Sequence, residues 1–409
     1  MNTKYLKNKE NLLFRHYQND PMHLNKSVLF LPSWYPTQQD PTHGIFIQNH
    51  AKALARFTKV IVVYAYSVKG NTSGEIITHV DGNLTEVYLA YSKTTITIPF
   101  AKHYSQFTNY VNAYKKLLQH LIYHNISVSA IQINVVFPAA IILDLFKEHY
   151  QVKHTIAEHW SGYLHEDGNY KGAILKRYTK KCFKTAAKVW HVSEKQKQAL
   201  IEHNLKADFE LLYNAVDTSV FKISAQQKNK KITFLHVSSL VEREKNLKGT
   251  FEALKLLQNK DLEFELIVIG GNEESISKTK LVQENFDIKQ VSYLGYQTKE
   301  NISTYMNRCD ALLLFSNFEG MPVVVLEALA CGLPVFTSQV GQLPHLITDE
   351  FGRTSPVNDV KHFASHLENF INGKYSFNSE KMSSFISEHA SFDAVGKQMF
   401  DFYIKHSAM

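Results

Sequence analysis

The chain has 409 residues, 44% of them hydrophobic, enough for a globular protein with two domains. No apolar run reaches the roughly 18 residues of a bilayer span, and the three cysteines (Cys182, Cys309, Cys331) are scattered and outside any metal-ligand spacing, which speaks for a reducing, cytoplasmic setting. The net charge of +7 is uneven: 25 Lys and Arg stand against 15 Asp and Glu up to residue 210, and 20 against 23 beyond it.

In chain order, MNTKYLKNKENLLFRHYQND is polar and has no apolar signal core. Residues 1–26 are therefore expected to be a loose extension, with Met22 a second candidate start. VLFLP (28–32) predicts a strand that runs through SWYPTQQDPTHG into a helix, IFIQNHAKALAR (45–56). In that loop Gly44 lets the backbone pass close to a ligand before the helix begins. KVIVVYAYS (59–67), AIQINVV (130–136), HTIAEH (154–159) and KVWHVS (188–193) predict further strands. Between the last two lies KGAILKRYTKKCFKTAAK (171–188), with seven basic residues and no acidic one. On a helix, Lys176, Lys180 and Lys184 share a face with Arg177, Lys181 and Lys188 beside it, either as a plain solvated face or as a contact with an anionic membrane. No nucleic-acid module accompanies this charge.

The second half alternates more regularly. ITFLHVSSL (232–240), FELIVIGG (264–271), VSYLGY (291–296), ALLLFS (311–316) and PVFTS (334–338) predict strands with helices between them. This is the pattern of an α/β protein built from two doubly wound, Rossmann-like domains facing a central cleft, with the seam near LLYNAVDTSVF (211–221). The expected boundaries are 27–210, 211–385 and a final helix over 386–409, whose stripe of Val395, Met399, Phe402 and Tyr403 has helical spacing and whose Ser391 and Asp393 can cap it.

Ligands in such sheets bind where strand ends feed helix N-termini. Besides the Gly44 loop, VEREKN places Lys245 at the mouth of a helix, and HWSGY follows the 154–159 strand. NFEGMPVVVLEALACG (317–332) puts Glu319 and Glu327 eight positions apart, with Pro322 suited to the first helical position. The apolar pattern from Val323 predicts a helix buried on every face, so an unpaired Glu327 would cost several kcal/mol. Gly-rich turns, helix N-termini and a lysine suit a diphosphate, although neither G-x-G-x-x-G nor the P-loop pattern occurs.

E-G-x-P-x-x-x-x-E followed by A-x-A-C-G-x-P-V matches the E-x7-E signature of the retaining, nucleotide-sugar-dependent glycosyltransferases of family 4, which have the GT-B fold. HVSSLVEREKN, HVSEKQKQAL, LLYNAVDTSVF and P-x-x-G-I-F-I-Q carry the same resemblance, which spans roughly residues 27 to 405. It implies that Glu327 accepts hydrogen bonds from the donor ribose, the other reading being a carboxylate salt-bridged in the core. Glu319 would orient the donor sugar, and the backbone of Gly320, Met321, Pro322 and Val323 would line it, with N–H groups from all but the proline. Lys245 would neutralise the diphosphate, Leu294 and Tyr296 would contact the base, His159 would be the active-site histidine, and the final helix over 386–409 would cross back onto the N-terminal domain. Ser239 stands where the family has an arginine, so one phosphate contact is weakened unless Arg243 reaches in; His345 stands where a glutamate is common, and nothing in the sequence explains it.

The implied reaction moves a sugar from a nucleotide diphosphate to a hydroxyl of a glycan or lipid-linked glycan in bacterial surface polysaccharide synthesis. It needs no cofactor and no metal, since no D-x-D pair occurs. A sugar-nucleotide epimerase of the same fold and a non-catalytic sugar-nucleotide binding module remain as rivals.

Overall fold

The computed structural model describes residues 26–225 and 231–407, so the expected N-terminal extension, up to residue 25, lies outside the described residues. Strand β1 (Ser27–Pro32) is buried along its whole length. It is followed by α1 (Ile45–Ala55), β2 (Val60–Val68), β3 (Ile76–Asp81), β4 (Leu84–Ser92), α2 (Pro99–Tyr123), β5 (Val128–Asn134), α3 (Leu143–Tyr150) and β6 (His154–Glu158). Then come α4 (Ala173–Lys184), β7 (Ala186–His191), α5 (Glu194–Glu202) and β8 (Phe209–Leu211). These strands form one sheet in the order β3-β4-β2-β1-β5-β6-β7-β8. It is parallel except at the β3–β4 edge, a hairpin in which Asp81 pairs with Leu84 and the turn is Gly82-Asn83, with Gly82 at φ 55°.

The second sheet is built from β9 (Thr233–Val237), α6 (Leu247–Gln258), β10 (Glu265–Ile269), α7 (Glu273–Glu284), β11 (Val291–Tyr293), α8 (Lys299–Arg308) and β12 (Ala311–Leu314). It is completed by α9 (Val323–Ala330), β13 (Val335–Ser338), β14 (Gly352–Ser355), α10 (Val360–Ile371) and α11 (Ser379–His389). Its order, β11-β10-β9-β12-β13-β14, is parallel throughout. The chain winds outward from β1 and β9 in one direction, then returns to their other sides as β5 and β12. The β1/β5 and β9/β12 pairs are therefore the switch points, and crevices open outside their carboxyl ends.

Helices cover both faces of each sheet, as continuous apolar strands require. Leu117, Phe146, Phe183 and Leu200 bury one face of the first sheet. Leu54 covers the other, together with Val395, Met399 and Tyr403 from α12 (Phe392–Ser407). The expected tail over 386–409 is thus split: α11 ends at His389, and Ser391 caps α12 by accepting from the Ala394 amide at 3.1 Å. α12 returns from the second half onto α1. The approach is so close that a Cβ on Gly396 would lie 2.1 Å from the Ala53 carbonyl oxygen. At its far end the Tyr403 hydroxyl donates to Gln132 Oε1 at 2.7 Å and lies 2.9 Å from Thr155 Oγ1.

Candidate active site

β12 ends at Leu314, and residues 315–322 lead into α9. Pro322 is not the first helical residue, as the sequence suggests, but the N-cap, with ψ 122°. The expectation of a helix buried on every face is also corrected. Val325, Leu326, Ala328, Leu329 and Ala330 are buried, but Val323, Val324 and Glu327 are partly exposed. Positions i, i+1 and i+4 lie on one side of a helix, and this side opens to the crevice. Burial still pushes the Glu327 carboxyl up to about 7, against the pull of Lys299. Among the described residues the Glu327 carboxylate has neither a hydrogen bond nor an ion pair, so the core salt bridge considered for it is not made.

Glu319 is differently held. Its Oε1 accepts from Lys245 Nζ at 2.7 Å and from Ser316 Oγ at 2.8 Å. The pair is nearly enclosed, with Lys245 15% and Glu319 10% exposed. Lys245 ends a single helical turn, Glu242–Lys245, and Asn246 behind it caps α6 through the Gly249 amide. The loop carrying Glu319 and Gly320 rests on the chain after β13. Gly341, at φ 54°, approaches so near that a Cβ would lie 2.1 Å from the Gly320 oxygen, and the Gln342 amide donates to that oxygen at 2.9 Å. Met321 is buried, its carbonyl accepting from Asn214 Nδ2 at 2.6 Å.

β11 ends at Tyr293, so Leu294 and Tyr296 lie in the turn beyond it; Tyr296 is 60% exposed. Ser239 is exposed. Arg243 reaches across to the first half, 3.3 Å from Asp167, with its guanidinium 5.4 Å from the Phe318 ring. His345 is exposed, and nothing in the structure explains it.

On the opposite wall, Gly44 is the N-cap of α1 in the left-handed region, φ 71°. A Cβ there would sit 2.7 Å from the Trp34 carbonyl carbon, so the close approach it permits is to the protein's own chain. His159 follows β6, and its loop is organised by Glu158. One Glu158 oxygen accepts from the amides of His159 and Trp160, both at 3.0 Å; the other accepts from the Val136 amide and the Tyr163 hydroxyl, both at 3.1 Å. The His159 ring packs 4.6 Å from Phe46 and 5.2 Å from His50. Burial, then His50, holds its pKa well below the ordinary value, opposed by Asn214, so the ring is neutral.

The two walls meet. A Cβ on Gly320 would lie 3.8 Å from the His159 carbonyl oxygen, Lys299 Nζ donates to Asn49 Oδ1 at 3.2 Å, and the Glu194 amide donates to Gln342 Oε1 at 3.2 Å. His159 and the Glu319 loop thus form one site. Sequence reasoning missed Glu158, Asn214, Gly341 and Lys299. Glu158 carried the same signal as Glu327, a carboxylate in an apolar run, whereas Gly341 and Lys299 carried none.

On α4, Lys176, Arg177, Lys180, Lys181 and Lys184 are exposed. Lys181 pairs with Asp144, and Lys188 is drawn from that face by Asp208 and Glu210 at 2.8 and 3.0 Å. Among the described residues no helix is long and apolar enough to cross a membrane, and no group of three His, Cys, Asp or Glu could hold a metal.

Residues 218–389 match the family model described as glycosyl transferases group 1. An uncharacterized glycosyltransferase of Methanocaldococcus jannaschii is 25% identical over 64% of this chain and 72% of its own length. The lipopolysaccharide 1,6-galactosyltransferase of Escherichia coli is 26% identical over 48% of this chain; the match spans 56% of that enzyme. HepE of Anabaena, solved in complex with UDP-glucose, superposes with a TM-score of 0.68 at 14% identity, over 92% of this chain and 98% of that one. The fold is GT-B. With a glycosyltransferase domain in its second half, the chain is a transferase enzyme of the glycosyltransferase type.

Proposed function

We propose that this enzyme moves a sugar from a nucleotide diphosphate sugar to a hydroxyl of a glycan or lipid-linked glycan, with retention of anomeric configuration, in cell-surface polysaccharide synthesis. One observation carries the reading: an unpaired, partly buried carboxylate, Glu327, shares a switch-point crevice with the enclosed Lys245–Glu319 pair. A carboxylate in that position is satisfied by hydroxyl donors, and a ribose supplies two. Lys245 then neutralises the departing diphosphate, which is where charge develops in the transition state. The amides at the start of α9, beyond Gly320 and Met321, add their dipole. Glu319 orients the sugar hydroxyls, and Leu294 and Tyr296 flank the base. Gly44 and Ser239 border the phosphates, and neutral His159 faces the sugar from the other wall.

No step needs a metal or other cofactor, because lysine and backbone amides do the electrostatic work. The names of the relatives support the class of acceptor, and the UDP-glucose bound by HepE supports the class of donor. The exposed basic face of α4 suits contact with the anionic inner surface of a membrane, where a lipid-linked acceptor would lie.

A thermal-shift panel of nucleotide sugars finds the donor, since a ligand of the native state raises Tm. With that donor and membrane-extracted glycan acceptors, release of nucleoside diphosphate should require acceptor, give a product with the donor's anomeric configuration, and persist in EDTA. An epimer formed without acceptor, no diphosphate release, an inverted product, or inhibition by EDTA reversed by manganese would each overturn the corresponding part of the reading.

A further inference from the structure

Three polar side chains converge behind the sugar side of the crevice: His50 from α1, His159 after β6, and Asn214 from the segment joining the two halves. His50 is fully buried, and its Nε2 lies 2.9 Å from the Tyr213 carbonyl oxygen. A carbonyl only accepts, so Nε2 carries the proton and Nδ1 keeps a lone pair. That Nδ1 is enclosed without a hydrogen-bond partner. Asn214 is buried, and its Nδ2 is committed to the Met321 carbonyl at 2.6 Å. Its Oδ1, which can only accept, is likewise enclosed and unpaired. Beside them lies the His159 imidazole, with both ring nitrogens enclosed and neither paired with a protein group. Asn214 favours the protonated form of that ring, the effect of an acceptor facing it, although no bond of good geometry closes between them.

A neutral imidazole offers one N–H and one lone pair. Two neighbours of fixed polarity, both acceptors and one of them a ring 5.2 Å away, favour one arrangement: the N–H on the nitrogen nearer these acceptors and the lone pair on the other. The opposite tautomer would set three lone pairs against one another in a buried space, each an unsatisfied polar group. We propose that His50 and Asn214 are positioning residues that hold His159 in a single neutral tautomer, so that its remaining lone pair, enclosed in this structure, is kept for a sugar hydroxyl that enters beside the ring. The inference rests on the glycosyl-transfer reading for the identity of that hydroxyl. The tautomer itself follows from the side chains alone. A hydroxyl or ammonium group is then favoured at this point of the site, and a phosphate oxygen is disfavoured.

The test uses the full chain with ring-15N-labelled histidine and long-range 1H–15N correlation at pH 7.5, His159 being assigned by the signals lost in His159→Asn. Wild type should show His159 as one neutral tautomer and His50 protonated on Nε2. In His50→Leu and in Asn214→Ala the two ring nitrogens of His159 should move toward averaged shifts. His50→Gln can donate to the Tyr213 oxygen and accept with its own oxygen, so it should restore the single tautomer. In transfer assays His50→Leu should lower kcat about tenfold with donor KM unchanged, and His50→Gln should recover it. An averaged or doubly protonated His159 in the wild type, or a single tautomer untouched by both His50→Leu and Asn214→Ala, overturns the proposal. If the leucine variant fails to fold, the wild-type spectrum and the Asn214→Ala spectrum still decide. The spectra are read without donor, so a failure of transfer would count against the proposed function and leave the tautomer standing.

Discussion

Replacing Glu327 with glutamine removes a charge and almost no volume, and it separates the cost of that charge from its use. Burial raises the Glu327 carboxyl from 4.5 to about 7, which corresponds to about 3 kcal/mol between its two protonation states. Because the side chain is partly exposed, solvent screens some of this, and a cost of about 1–2 kcal/mol is expected. The sign is that of a raised carboxyl. Below pH 4.5 both folded and unfolded chains hold the proton and nothing is lost; between 4.5 and 7 the unfolded chain releases it first, so the wild type loses stability, and above 7 the full cost is present. Glu327→Gln should therefore be more stable than the wild type by about 1–2 kcal/mol at pH 8, and the advantage should vanish at pH 4.5, as measured by urea unfolding at both values. Calorimetric titration with the nucleoside diphosphate of the selected donor should show the opposite effect, a loss of about 2–3 kcal/mol, or roughly 30- to 150-fold in Kd. An equal stability difference at both pH values would refute the desolvated carboxylate. Unchanged binding would refute its role toward the ribose.

Lys245→Ala should slow transfer by roughly 10²–10³-fold while weakening nucleoside binding far less, because its charge acts on the departing diphosphate; equal losses in single-turnover rate and in Kd would reduce it to a ground-state contact. Tyr403→Phe removes the hydroxyl that α12 places between Gln132 and Thr155, and should cost about 1–3 kcal/mol in urea unfolding with the donor Kd unchanged. A smaller cost would show that the two partners re-pair with each other.

The sequence determined the alternation of strands and helices in both halves, since β-branched runs bounded by glycine and helical stripes are local patterns. It also marked the candidate site residues of the second half, because NFEGMPVVVLEALACG carries its carboxylates, its proline and its glycines within one stretch. The β3–β4 hairpin, turning at Gly82-Asn83, was not read from the sequence, because short edge strands are easily passed over. What only the tertiary structure decided is which face of α9 meets the crevice. Its apolar residues read alike, and burial depends on whether another layer lies against Val323 and Val324. The family resemblance implied that the last helix returns to the first domain; tertiary structure decided that Val395 and Met399 are what close the sheet face beside α1. The pairing of Lys245 with Glu319 joins residues 74 positions apart, and that of Tyr403 with Gln132 joins residues 271 apart. No local pattern encodes such distances. They follow from two sheets winding outward from their switch points and bringing remote strand ends to one crevice.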